Sequence, residues 1–361
     1  MRIRSSTRPN LRWAAVAVAA LVTATTSCSL GGGGDDEGEE TKDGGPTEVV
    51  LATHESFNLP KQLIRQFEKE SGYQLEIRGS GDAGELTNKL VLTKDNPIGD
   101  VAFGIDNTFA TRALDEGVFE ASDVEWPAGV EQYALPGDDD QALTPVDNGN
   151  VCVNIDDTWF EREQIAPPET LDDLTDPAYE GLFVTPAATT SSPGMAFLLT
   201  TIAEYGDEWP AYWERLMAND TKITSGWTDA YTVDFTQGGG NGDRPIVLSY
   251  DSSPAFTVAG GKSTTSALLD TCFLQVEYAG VLAGADNPEG AQTVVEWLVS
   301  PEVQAALPEN MYVFPVVDGV ELPTEWAKHA QRPTEPSTVD PAEVDANRDE
   351  WLRDWGEITT R

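Results

Sequence analysis

The chain has 361 residues and carries 62 acidic against 22 basic side chains, a formal net charge of −40. A field of that sign repels nucleic acid and anionic lipid, which excludes DNA and RNA binding, while solvated surface acid and long-range steering of cations both stay open. With only His54 and His329, no Gly-x-Ser-x-Gly elbow and no His-Glu-x-x-His helix, hydrolytic chemistry is poorly supplied and no enzyme is expected.

The amino terminus reads as a leader. Arg2, Arg4, Arg8 and Arg12 precede an apolar run from Trp13 to Val22 that is too short to span a bilayer after folding, and Ser27-Cys28 follows. The arrangement resembles the lipobox of bacterial lipoproteins, with Thr25 where that pattern usually carries a large aliphatic residue. Residues 1–28 are thus read as a lipoprotein signal peptide through an acylated Cys28, which places the protein outside the cell, lipid-anchored to the outer face of the cell membrane. The alternative is a cleaved secretory peptide with an incidental cysteine. Residues 29–47 hold little to bury and read as a disordered, acidic, Gly-rich tether. No later run is long and apolar enough to cross a bilayer.

About 315 residues follow the tether, more than one core usually serves, so two lobes are expected. Glu48 to His54 reads as a strand, and Asn58 is the expected cap of a helix carrying Leu63, Ile64 and Phe67 that ends at Gly72. Tyr73 to Arg78 alternates as a second strand, a helix with Leu86 and Leu90 follows, and Asp100 to Gly104 is a third strand. This alternation predicts a parallel α/β lobe, whose ligands lie at the carboxyl ends of the strands. A second block begins near Pro145, with strands at 150–154, 182–185 and 246–250. In it, Ser191-Ser192-Pro193 and Ser252-Ser253-Pro254 are two expected capped helix starts, each offering backbone N–H groups to an anion or an electron-rich ligand atom. Capping alone also explains each.

Gln275 to Ala279 returns as a strand, and Asn287 caps a helix over 288–299 whose Val294, Val295, Leu298 and Val299 form a core stripe. Residues 308–315 read as an extended crossing segment, and a last helix docks through Trp351, Leu352 and Trp355. The expected division is 48–145 with 275–361 as lobe 1, and 146–274 as lobe 2. Cys152 and Cys272 fit no metal motif; in a disulfide-permissive compartment they are either a bonded pair or two buried thiols. Gly261-Lys262-Ser263 resembles the end of a P-loop, but Phe256 stands where the first glycine belongs.

Several stretches, in order over most of residues 48–325, resemble the thiamine-binding proteins of bacterial ABC importers. They include Thr53 to Phe57 (THESF), Gly79 to Asp82 (GSGD), Gly99 to Asn107 (GDVAFGIDN), Ser191 to Gly194 (SSPG), Gly226-Trp227 (GW), Val247 to Phe256 (VLSYDSSPAF), Gln275 to Ala283 (QVEYAGVLA) and Leu298 to Pro301 (LVSP). The resemblance implies an α/β chain of the type II periplasmic-binding fold, two α/β lobes joined by crossing strands around an interlobe ligand cleft. It implies an extracytoplasmic lipoprotein that captures thiamine or its phosphates and delivers them to ABC permease subunits, as a monomer, with no cofactor and no metal. Positions matching family ligand contacts are His54, Asp82, Ser192, Trp227, Tyr250, Ser253 and Tyr312, with Phe256 beside them. His54 and Phe256 stand where relatives often have tyrosine, and Tyr312 where tryptophan is common. The chemistry agrees: a thiazolium cation wants aromatic faces, here Trp227, Tyr250 and Tyr312, and a carboxylate, Asp82 or Asp251. The same fold tuned to a polyamine, iron or another small solute is the alternative.

Overall fold

Strand β1 (Thr47–Thr53) is buried from Val49 onward, as expected of a strand covered on both faces of a parallel sheet. In the computed structural model, which describes residues 47–360, it pairs in parallel with β2 (Tyr73–Gly79) and β3 (Val101–Asp106). The leader, Cys28 and nearly all of the tether lie outside the described residues. Helices α1 (Lys61–Ser71), α2 (Ala83–Leu92) and α3 (Ala110–Asp115) complete the first unit of alternating elements. Gly72 ends α1 in the left-handed region (φ 79°), where glycine carries no Cβ penalty.

The long strand β4 (Thr144–Asp156) then crosses the molecule, buried along its whole length, and leads through α4 (Asp157–Glu163) to β5 (Phe183–Pro186). Helices α5 (Ser192–Tyr205) and α6 (Trp209–Ala218), strands β6 (Lys222–Thr224) and β7 (Ile246–Tyr250), and three short strands, β8 (Val258–Ala259), β9 (Lys262–Ser263) and β10 (Thr265–Ala267), follow. Gly261-Lys262-Ser263 therefore lies in a small hairpin rather than in a phosphate loop. Strand β11 (Phe273–Val281) returns across the sheet. Helices α7 (Pro288–Leu298) and α8 (Pro301–Asn310), the short β12 (Phe314–Pro315), α9 (Thr324–Ala327) and α10 (Pro341–Thr359) close the chain.

One continuous sheet results, in the order β2-β1-β3-β11-β4-β7-β5-β6. The antiparallel pair β11–β4 joins a parallel half on one side to a mostly parallel half on the other, so two α/β lobes share the crossing strands. Val294, Val295 and Leu298 of α7 are buried, each contributing about 1.5–3 kcal/mol. Helix α10 packs on both α6 and α3. Its Trp355 is only 4 % exposed and meets Trp213 edge-on, while Arg348 donates to the Thr108 carbonyl and covers the Phe109 ring. Cys152 of β4 and Cys272, next to β11, are joined in a disulfide. Among the described residues no helix is long and apolar enough to cross a membrane.

Three local expectations are corrected. Asn58 does not cap α1: Pro60 holds that position, and the Asn58 amide instead donates to the Asn310 carbonyl. Ser253-Pro254-Ala255 forms a single 3₁₀ turn rather than a helix, because the chain turns at once into the β8–β9 hairpin. Residues 308–310 belong to α8, with Pro308 inside it, so the extended segment shrinks to β12.

Candidate functional site

The carboxyl ends of β1 and β7, the starts of α2 and α5 and the turn after α8 converge on a cavity of about 420 Å³ between the lobes. All seven residues singled out in the sequence, His54, Asp82, Ser192, Trp227, Tyr250, Ser253 and Tyr312, line it, and so does Phe256. Asp251 does not. Its carboxylate turns back to the backbone N–H and side-chain amide of Asn150 (3.2 and 2.7 Å), leaving Asp82 as the carboxylate of the two that faces the cavity.

Aromatic rings form an arc along one wall. Trp227 stacks on Tyr231 with centroids 5.0 Å apart and planes at 15°, Tyr231 meets Phe256 edge-on at 6.0 Å, and Phe256 meets Tyr312 edge-on at 5.2 Å. Tyr250 stands at 63° to Trp227, its hydroxyl accepting from Gln275 Nε2 at 3.1 Å. The indole N–H of Trp227 donates to Ser249 Oγ, and Ser249 Oγ shares a 2.7 Å bond with Ser253 Oγ. Ser253 also accepts from the Tyr250 N–H, so its hydroxyl braces the wall. Tyr231 lies in a π-helical turn over Asp229–Asp234, a distortion frequent at functional sites. Its position four residues after Trp227, on the same helical face, was the available sequence signal.

Asp82 ties the lobes together. It caps α2, where its Oδ1 accepts from Ala83 N–H at 2.7 Å; across the cleft the same carboxylate accepts from Trp227 N–H (2.8 Å) and Ser192 N–H (3.4 Å). The Glu85 N–H donates to the Thr190 carbonyl alongside, an approach close enough that a Cβ on Gly84 would meet Thr190 backbone at 2.7 Å. Burial pushes the Asp82 carboxyl up, and the N–H donors only partly offset it. Charged hydrogen bonds of this kind contribute about 1.5–3 kcal/mol each. Asp82→Ala is therefore expected to favour an open arrangement, read as a larger radius of gyration in small-angle scattering; an unchanged radius would show that the aromatic wall alone keeps the lobes together.

On the opposite wall, the His54 Nε2 lies 3.3 Å from Glu277 Oε1, while its Nδ1 accepts from the Ser56 N–H at 3.2 Å. Gly104 makes room for this ring. It has φ +92°, and a Cβ there would come within 2.0 Å of His54 Cδ2. Burial, the largest single influence, would lower the His54 pKa, but Glu277 together with Asp82 and Glu55 outweighs it and raises it. Glu277, 7 % exposed, is pushed up by burial and brought below the usual carboxylate range by His54. Glu277 and Gln275 line the cavity yet were not singled out in the sequence. A charged and an amide side chain in the strand stretch QVEYA were the signal, because a buried strand rarely keeps an unpaired charge.

Residues 62–334 match the family described as bacterial extracellular solute-binding protein. The chain is 31 % identical over 327 residues to the thiamine-binding periplasmic protein of Brucella melitensis biotype 1, covering 87 % of this chain and 92 % of the relative. It is 29 % identical over 321 residues to the thiamine-binding periplasmic protein of Escherichia coli strain K12, with 87 % and 94 % covered. A solved periplasmic thiamin binding protein superposes with a TM-score of 0.76 at 29 % identity, covering 87 % of this chain and 96 % of that one. The architecture is the type II periplasmic-binding fold, and, with the family matched over most of its length, the chain belongs to the bacterial extracellular solute-binding proteins.

Proposed function

We propose that this chain captures thiamine outside the cell and presents it to the permease of an ABC importer, held at the membrane by a lipid on Cys28. The observation that carries the reading is the pairing of an aromatic arc, Trp227, Tyr231, Phe256 and Tyr312, with carboxylates on the facing wall of one interlobe cavity. Flat rings bearing a delocalised positive charge are held by such faces through stacking and cation–π attraction. The cavity volume lies within the roughly 300–1,000 Å³ typical of small-molecule sites. Similarity to relatives named for thiamine binding supports the same ligand. A phosphate at the start of α5 would have to displace Asp82 from the Ser192 and Trp227 N–H groups, so free thiamine is the first ligand and its phosphates the second.

A polyamine is the second reading, favoured by the excess of acid. Iron has less support, since among the described residues no three His, Cys, Asp or Glu side chains converge to hold a metal ion. A thermal-shift panel of thiamine, its phosphates, spermidine and ferric citrate separates these. Thiamine at a thousandfold excess over its dissociation constant should add about 4 kcal/mol of stability. Trp227→Ala should weaken binding by roughly 1–3 kcal/mol, measured by calorimetry. A response to spermidine with none to thiamine would overturn the ligand and keep the transport role.

A further inference from the structure

Strand register places three acids in one row across the middle of the sheet: Glu277 on β11 lies opposite Asp106 on β3 and Asp147 on β4. Like charges directly opposite on neighbouring strands repel, so the row cannot carry three full charges in a buried setting. Asp106 and Asp147 are wholly buried, whereas Glu277 is the member that lines the cavity. Neither oxygen of Asp147 has a donor aimed at it, which suits a carboxyl that keeps its own proton beside Glu277. Asp106 is held on one oxygen by the Thr108 N–H and hydroxyl.

From this we propose that Glu277 is the fixed negative charge that selects a cation in this cleft, with the neutral His54 imidazole turned to it when no cationic ligand is present. The inference rests on the thiamine reading for its ligand, and on the sheet register for its residue. The Ser56 N–H on Nδ1 sets the hydrogen of the neutral imidazole on Nε2, facing Glu277. That Nε2 is buried and sits outside hydrogen-bond geometry, in a residue that lines the cavity, which leaves the Glu277 carboxylate available to a positive partner. The charged or titratable groups facing the pair are Asp82 and Glu55 toward His54, and Asp147, Asp106 and the Tyr250 phenol toward Glu277. All except His54 are acids, so a cation entering here meets no fixed positive charge among the groups facing the pair.

The test compares thiamine with an analogue in which carbon replaces the quaternary ring nitrogen, leaving that ring neutral. Wild-type protein should prefer thiamine by about tenfold or more, and Glu277→Gln should erase that preference while keeping affinity for the neutral analogue. Equal loss for both compounds, or no loss for thiamine, overturns the proposal. A second readout needs no ligand: the His54 imidazole, followed by NMR against pH and assigned with His329→Gln, should titrate at a lower pH in Glu277→Gln than in wild type. An unchanged His54 titration overturns the charge pairing. If wild-type protein ignores thiamine, the thiamine reading falls, and the His54 titration still decides whether Glu277 carries the charge.

Discussion

Lowering the pH from 8 to about 5 is expected to raise the melting temperature. Burial pushes Asp106 and Asp251 up to about 6, and it pushes Asp147 and Asp82 upward as well. In the unfolded chain these carboxyls titrate near 3.9, so between about pH 4 and 6 the folded state binds more protons and stability falls as pH rises. Their contribution is complete below the unfolded value and lost as pH climbs through the folded one. His54, raised by Glu277, adds in the same direction near neutral pH. Glu277 and Asp156 are lowered instead, so their contribution disappears only below about pH 4, which sets the acid limit of the optimum. Titration near 6 instead of the unfolded ~3.9 amounts to up to ~3 kcal/mol for each of Asp106 and Asp251, and partial neutralisation of the net charge of −40 adds to it. Differential scanning calorimetry from pH 4 to 8.5 checks the sign. Asp106→Asn and Asp251→Asn, which imitate the protonated form, should flatten the slope; a melting temperature that rises steadily toward pH 8 would mean these acids are ionised in the native state.

Removing the disulfide should have an effect of similar size. Cys152 and Cys272 are 120 residues apart, and in the chain-entropy account a loop of roughly 100 residues contributes about 4.7 kcal/mol through the unfolded state. The bond also ties the outgoing crossing strand β4 to the start of the returning one, β11, where the lobes join. Both cysteines are buried, so the double variant Cys152→Ala/Cys272→Ala leaves small voids in addition. Urea unfolding should show a midpoint lowered by the equivalent of about 4 kcal/mol. An unchanged midpoint would assign the stability of the crossing region to the β4–β11 ladder alone.

The local signals in the sequence determined much of the chain. The alternation of strands and helices over 47–106, the glycine stop at Gly72, the Asn287 cap, whose side chain accepts from the Gly290 N–H, and the apolar stripe of α7 are all written in spacings of two to four residues. Family resemblance supplied the seven cavity residues, since motifs such as Val247 to Phe256 keep their order whatever the lobes do. What local spacing misjudged were choices that distant contacts decide. Asn58 was drawn to Asn310 instead of a cap, and Asp251 turned to Asn150 rather than the cleft.

Only the tertiary structure decided where the charges meet. The row Asp106–Glu277–Asp147 depends on the register of strands separated by more than a hundred residues, and a one-residue slip would turn Glu277 to the other face of the sheet. The bridge from Asp82 to Trp227 and Ser192 likewise requires two lobes to approach, and no periodicity along the chain encodes that approach. Sequence by itself set the elements and the residue types a cationic ring would need; folding set which carboxylate is buried beside which partner, because electrostatics in a low-dielectric cleft depends on distance in space and not on distance along the chain.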